Sequence, residues 1–486
     1  MTDWNFADVW DAVAATVPDR PALHQGPVRL DWGQLERRAA AVAGTLVSAG
    51  LGHQAKVAQY LYNCPAYLES LYGCFKAGLI PVNTNYRYTD DELVYLWDNS
   101  DSEAVIFHSS FTERVERVRD RLPGVKLWLW IDDGSGGAAP DWAVPYDRAL
   151  AHEPLESPGR RSGDDMLFIY TGGTTGMPKG VMWRQDDLFS VLNRTGEVRY
   201  PEDGGLEDVR TILSRPPRHA PPRLVPGPPL MHGTGLFTAM SVMSSGGSVV
   251  MPEGHHLDVE ALLDLIGEER VTEMSIVGDA FAKPILAALD AEPGRWDISS
   301  LWLIISSGVM WSAEVKEGLL RHNPKLTLVD TLGSSEAVGM ARSTSRAGKT
   351  TETAGFTLGP DTKVLTEDGR EVAPGSGEQG RLALRGRGPM GYYKDPDKSA
   401  ATFTVIEGQR WTIPGDFATV RADGTVQLLG RGSVCINTGG EKVFPEEVEE
   451  VLKLHPSVAD AVVVGVPDER FGERVTAVVE RRPGTT

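Results

Sequence analysis

Along residues 31–50 the apolar positions Leu35, Ala39, Val42 and Leu46 recur at helical spacing and fall on one face. Asp31 and Gln34 ahead of them form a capping-box pattern and Gly50 supplies a stop, which predicts one amphipathic helix. From residue 248 onward, short apolar runs alternate with helical patterns. SVVM at 248–251 leads to VEALLDLIGEE, and MSIVG, AKPILAALDA, LWLIISSG, AEVKEGLLRH and LTLVD follow in turn. This alternation predicts a mostly parallel sheet covered by helices, with ligands bound beyond the carboxyl ends of its strands. The Pro-rich stretch 216–229 reads as a loop near a site.

The pattern changes after about residue 355. KVLTEDGREV and ATVRADGTVQLLG each set an Asp-Gly pair, Asp368-Gly369 and Asp423-Gly424, between strand-like flanks. Both are hairpin signals, and they predict a small antiparallel, barrel-like β part over about 355–430. Beyond Arg431 a separate unit begins. Pro445 stands at a helix start, Glu446 and Glu447 suit the positive end of the helix dipole, and Val448, Val451 and Leu452 mark the buried face. Two apolar runs, DAVVVGV and RVTAVVE, complete it, and so small a unit reads as a partial α+β domain. The expected fold is α/β, with a large body of several sub-domains over 1–430 and a partial C-terminal unit over 431–486.

Length and composition agree with that organisation. A chain of 486 residues with 41% apolar and 24% charged residues is long enough for two or three sub-domains around sizeable cores. The net charge of −19 argues against a broad basic surface for nucleic acid, so an anionic ligand must be held by local donors. Cys64, Cys74 and Cys435 offer neither metal-ligand spacing nor a disulfide framework. The N-terminus lacks the pattern of a signal peptide, and no segment approaches the roughly 18 apolar residues of a membrane span. The chain is expected to be cytoplasmic, with a homodimer left open.

The strongest chemical signal is MLFIYTGGTTGMPKGV at 166–181. A buried strand, Met166 to Tyr170, is expected to run into a loop carrying Gly172, Gly173, Gly176, Gly180, three threonines and Lys179. Glycines admit backbone N–H groups to a phosphate, hydroxyls add donors, and the lysine supplies charge. The common P-loop is excluded, because Pro178 precedes Lys179 and Gly180 follows it. Four further segments stand in order along the chain: PPLMHGTG (228–235), DTLGSSE (330–336), WTIPGD (411–416) and GRGSVCINTGGEKVFPEEVE (430–449). Together these motifs resemble the adenylate-forming superfamily of acyl-CoA synthetases, peptide-synthetase adenylation domains and luciferases. The last is most similar in form to actinobacterial fatty-acid and steroid-side-chain CoA ligases.

The resemblance implies ATP-dependent activation of a carboxylic acid to an acyl-adenylate, followed by transfer to CoA. It implies that Thr171, Gly172, Gly173, Thr174, Thr175, Gly176 and Lys179 wrap the triphosphate. Ser335 would meet the α-phosphate and Glu336 would ligate Mg²⁺, a hard cation suited to carboxylate and phosphate oxygens. Ser307 and Gly308 would border the adenine, with Asp330, Thr331 and Leu332 on its other side. Asp416 would accept from the ribose hydroxyls and Arg431 would reach the ribose. His232 would line the acyl and pyrophosphate side, so that Thr171, Lys179, His232 and Glu336 are the candidate catalytic residues. Met231, Gly235, Val277, Gly278 and Gly333 would line the acyl pocket.

Gly333 stands where short-chain relatives carry a pocket-closing Trp. It reads either as an open tunnel for a medium, long or ring-bearing acyl group, or as a turn residue. Ser433 falls at the hinge about which the family's C-terminal domain turns, bringing Gly439-Gly440 to the site. The family's late lysine has no counterpart before the chain ends, which suggests truncation. Three alternatives stay open: a carrier protein as acceptor, nitrite as the activated acid, and a non-catalytic protein that binds nucleotide or acyl-adenylate.

Overall fold

The structure is a computed structural model that describes residues 3–155, 160–173, 176–194, 196, 198–216, 220–432, 435–438, 441–453, 455–468 and 472–482. Thr174, Thr175, Ser433, Gly439 and Gly440 lie outside them.

The predicted N-terminal helix forms as Trp32–Ser48. Asp31 accepts from the Gln34 N–H and the Gln34 side chain accepts from the Asp31 N–H, closing the capping box. Strands Ser248–Val250, Arg223–Pro226, Glu273–Ile276, Leu303–Ser307 and Thr327–Leu332 lie side by side in that order, all parallel. Helices Val259–Glu268, Gly278–Ala291 and Ala313–His322 connect them, as the alternating pattern requires. One expectation fails here. Arg223–Pro226, inside the Pro-rich stretch, is an interior strand and not a loop. Pro226 is tolerated because it is the strand's last residue.

A second sheet runs through Lys56–Tyr60, Ile80–Asn83, Ser102–His108 and Met166–Gly173. Alternation along the strands assigns each sheet two apolar faces. In the first sheet Leu224 and Val249 face inward, whereas Val225 and Val250 pack with the covering helices. In the second, Val57, Ala104 and Ile106 face inward and Ala58, Val105 and Phe107 outward. The two inward faces close on one shared layer of helices that carries Phe6, Trp10, Trp32, Phe75 and Phe189. The result is α/β layers stacked as helix, sheet, helix, sheet, helix, confirming the expected class.

The β-rich part also forms, and the first sheet continues into it. Ala341–Ser345 pairs antiparallel with Thr327–Leu332, and Gly355–Leu358 joins it to Val426–Arg431. The Asp423-Gly424 hairpin is present, linking Asp416–Val420 to Val426–Arg431. At Asp368-Gly369 the turn forms, but its return flank makes only a single bridge, Leu365 to Glu371. Thr362–Leu365 pairs instead with Gln379–Arg385. The C-terminal unit has the helix Pro445–Lys453 and a sheet whose longest hairpin is Val458–Asp468 with Gly472–Arg481.

His108 ends its strand buried, its Nδ1 accepting from the Tyr62 N–H at 3.1 Å. Burial pulls its pKa down to about 4, with Asp133 opposing. A depressed histidine pKa contributes stability that is present above the unfolded value near 6.5 and is lost as pH falls toward 4. His108→Asn keeps an acceptor and removes the titration. Urea unfolding should show the wild type losing about 2 kcal/mol more than this variant between pH 7 and pH 5; equal losses would refute the assignment.

Candidate active site

The carboxyl ends of the parallel strands open onto a cavity of about 1490 Å³. Strand phase decides which residues reach it. Leu303, Ile305 and Ser307, with Val329 and Thr331 on the neighbouring strand, line the wall. Ile304 and Leu328, one position out of phase, belong to the core under the covering helices. Asp330, for which an adenine-side position was expected, is out of phase too and does not line the cavity. Its carboxylate is buried 3.6 Å from the Lys316 ammonium. Burial raises the Asp330 pKa to about 6, against the pull of Lys316.

The described residues of the glycine–threonine segment form two paired strands of a β-hairpin, so the strand expected to end at Tyr170 continues to Gly173 and Lys179 stands on its partner. Met166–Gly173 pairs with Gly176–Arg184, with Thr171 opposite Lys179 and Gly173 opposite Gly176. Gly180 is required here, since a Cβ would sit 2.6 Å from the Tyr170 ring that crosses it. Thr171, Gly172 and Lys179 face the cavity, and the Lys179 Nζ lies 2.9 Å from an Asp395 carboxylate oxygen.

Opposite the hairpin stands the turn Gly333–Gly339. The Ser334 and Ala337 backbones bond reciprocally, and the Trp183 indole donates to the Ser335 carbonyl at 2.8 Å. Ser335 and Glu336 thereby line the cavity. The Tyr392 hydroxyl donates to Glu336 Oε1 at 2.8 Å, which leaves Oε2 without a partner among the described residues. Gly333 lines the wall, but a Cβ there would lie 2.8 Å from the Ala337 carbonyl oxygen. Of its two readings, the structure supports the turn.

Ser307, Gly308 and Leu332 are wall residues, as is Arg431. Asp416 is buried beside the wall and accepts from Arg431 Nε at 3.2 Å. Burial raises its pKa, with Arg431 opposing. His232 faces the cavity ahead of the helix Gly233–Ser244, and both desolvation and the Arg87 charge lower its pKa.

The expected acyl-pocket residues divide. His232 and Gly333 line the cavity; Met231, Gly235, Val277 and Gly278 do not. Met231 is buried, its carbonyl accepting from the Asn83 amide at 2.6 Å. Gly235 lets the helix pass close to the preceding chain, since a Cβ would stand 2.7 Å from the carbonyl oxygens of Pro228 and Pro229. Gly278 adopts φ +48 and a Cβ would strike the Met310 carbonyl at 2.3 Å. Val277, just before it, falls on no part of the wall.

A further part of the cavity wall comes from a helix face absent from the expected site residues. Thr234, Thr238, Ser241, Val242 and Ser245 line the cavity at spacings that return to one face. The signal was present as hydroxyls at helical period in an otherwise apolar segment. Lys398, Arg342 and Arg381 add positive charge to the wall and were likewise not singled out. Among the described residues no group of three or more His, Cys, Asp or Glu could hold a metal, and no helix is long and apolar enough to cross a membrane.

Residues 10–394 match the family described as AMP-binding enzyme, and residues 447–486 match the AMP-binding enzyme C-terminal domain. The chain is 41% identical over 490 residues to the medium/long-chain-fatty-acid–CoA/3-oxocholest-4-en-26-oate–CoA ligase of Mycobacterium marinum, covering 99% of this chain and 88% of that one. It is 40% identical to the 3-oxocholest-4-en-26-oate–CoA ligase of Rhodococcus rhodochrous, with 99% and 87% covered. The crystal structure of the anthranilate CoA ligase AuaEII in complex with anthranoyl-AMP shares the fold at a TM-score of 0.83 and 21% identity, over 100% of this chain and 88% of that one.

If Gly235 serves packing, Gly235→Ala should lower stability by roughly 1–3 kcal/mol through overpacking. Calorimetric melting would show it. A variant with wild-type melting and an altered acid preference would return Gly235 to the acyl wall.

Proposed function

This chain belongs to the AMP-binding enzyme family, and on that premise we propose that it is an AMP-forming acyl-CoA ligase. ATP and a carboxylic acid give an acyl-adenylate and pyrophosphate, and the CoA thiol then displaces AMP to form the thioester. One observation carries the reading. A single cavity joins the Thr171–Lys179 hairpin and the Glu336 turn at one end to a channel along the helix Gly233–Ser244 at the other.

In the first step a carboxylate oxygen of the acid attacks the α-phosphorus and the bond to the pyrophosphate oxygen breaks. Such an in-line displacement needs positioning and charge stabilisation rather than proton transfer. Lys179 and the hairpin N–H groups hold the triphosphate, and Thr171 adds a hydroxyl. Ser335 meets the α-phosphate. Ser307, Gly308, Thr331 and Leu332 border the adenine, while Asp416 and Arg431 take the ribose. His232 stands where the acyl carboxylate and pyrophosphate side meet. Local cations at Lys179, Arg431 and Lys398 outweigh the repulsion of a chain with net charge −19.

Mg²⁺ fits the donor set, because it takes one or two protein carboxylates beside phosphate oxygens and water, and Glu336 offers Oε2 into the cavity. Bound there, it would neutralise charge on the phosphates. The medium- and long-chain and steroid acids named for the relatives, together with the size of the channel, support an elongated or ring-bearing acid as substrate. The body over 1–430 would adenylate, and the unit over 431–486 would turn about Ser433 between the two steps.

Exchange of labelled pyrophosphate into ATP, driven by a panel of acids, should respond to medium, long-chain or steroid acids, and added CoA should yield their thioesters. Exchange without thioester would assign a different acceptor. Glu336→Gln should lower exchange about 10²- to 10³-fold with unchanged melting. Wild-type exchange in that variant would remove Glu336 from the metal role.

A further inference from the structure

The short strand Gly391–Tyr392 is added to the outer edge of the hairpin, Tyr392 opposite Val181 and Gly391 opposite Met182. The Tyr393 N–H donates to the Gly180 carbonyl at 2.8 Å, so this strap is fixed by backbone bonds one residue from Lys179. It reaches two functional groups at once. Tyr392 donates to Glu336, and Asp395, three residues on, pairs with Lys179.

Asp395 divides its two oxygens. Oδ1 accepts from the Lys398 N–H and caps the helix Pro396–Thr402, while Oδ2 lies 2.9 Å from the Lys179 ammonium. The hydrogen bond from Lys179 lowers the Asp395 pKa, which keeps the carboxylate ionised at neutral pH. Both side chains remain over 30% exposed, at 39% and 33%, so the pair can open at the cost of little more than the approach of the ammonium to the Tyr392 ring, 5.8 Å from its centre. The lysine's charge is thus already engaged when the nucleotide arrives.

We propose that Asp395 is a positioning residue that holds Lys179 on the strap until the triphosphate of ATP takes it. Carboxylate and phosphate compete for one ammonium, and the competition sets the affinity for ATP. The inference rests on the reading that the hairpin holds the phosphates. An ion pair this exposed alters an equilibrium by only a few-fold, so the effect is a tuning of affinity and not an on–off switch.

Asp395→Asn and Asp395→Ser remove the charge and keep a good helix cap, which separates the ion pair from the fold. Pyrophosphate exchange at saturating acid should show the KM for ATP falling about threefold in both variants, with a smaller change in kcat. ATP titration calorimetry should show the same shift. In a Lys179→Ala background, Asp395→Asn should change nothing further. A KM that is unchanged or raised in the Asp395 variants, or an equal fall when Lys179 is absent, overturns the inference. The two readings fail separately. Wild-type KM for ATP in Lys179→Ala would sink the phosphate site itself. A raised KM there, without the fall in the Asp395 variants, sinks only the strap.

Discussion

The indole N–H of Trp183 donates to the carbonyl of Ser335 across 152 residues of sequence, from the hairpin of one sheet to a turn that follows a strand of the other. Trp183 is fully buried, and an indole N–H there without an acceptor would carry a substantial desolvation cost. The bond therefore fixes how far the glycine–threonine hairpin stands from the carboxylate of Glu336. Two other buried tryptophans tie the helix layer to the first sheet's surroundings, Trp10 donating to Ser244 and Trp32 to the Gly247 carbonyl. Indole size supplies the apolar burial and each N–H supplies direction. Where two parallel sheets share one helix layer, a cavity at their common edge can keep its shape only if the layers cannot slide.

Charge is arranged with similar economy. Lys179 and Tyr392 are brought together by strands paired through their backbones, and each then reaches a carboxylate outside the ladder, Asp395 at a helix cap and Glu336 on a turn. Arg431 and Asp416 face one another on paired strands for the same reason. A site for a polyanion on a strongly acidic chain depends on such local order, because the surrounding field works against it.

Much of this was legible in the sequence. The alternation over 248–330, the capping box at Asp31 and the hairpin at Asp423-Gly424 rest on periods and turn chemistry that act locally, and each appears as read. What was not legible depends on partners distant in sequence. Period alone marks Asp330 as part of a strand but not which of its faces turns to the cavity; the ammonium of Lys316 and the covering helix settle that. Gly235, Gly278 and Gly333 show that a glycine beside a site has two meanings, an open space or a close backbone approach, and only the atoms opposite distinguish them. The strand Arg223–Pro226 was hidden by prolines, whose effect depends on position within a strand rather than on their number.

The backbone ladder that runs without a break from Thr327–Leu332 through Ala341–Ser345 and Gly355–Leu358 into Val426–Arg431 has a bearing on engineering. A graft of the β-rich region onto a related scaffold must cut inside a hydrogen-bonded sheet, exposing edge groups on both pieces. A junction anywhere between Ser345 and Gly355 divides the ladder between the two pieces, so the new scaffold must supply a strand that matches the backbone register of Gly355–Leu358.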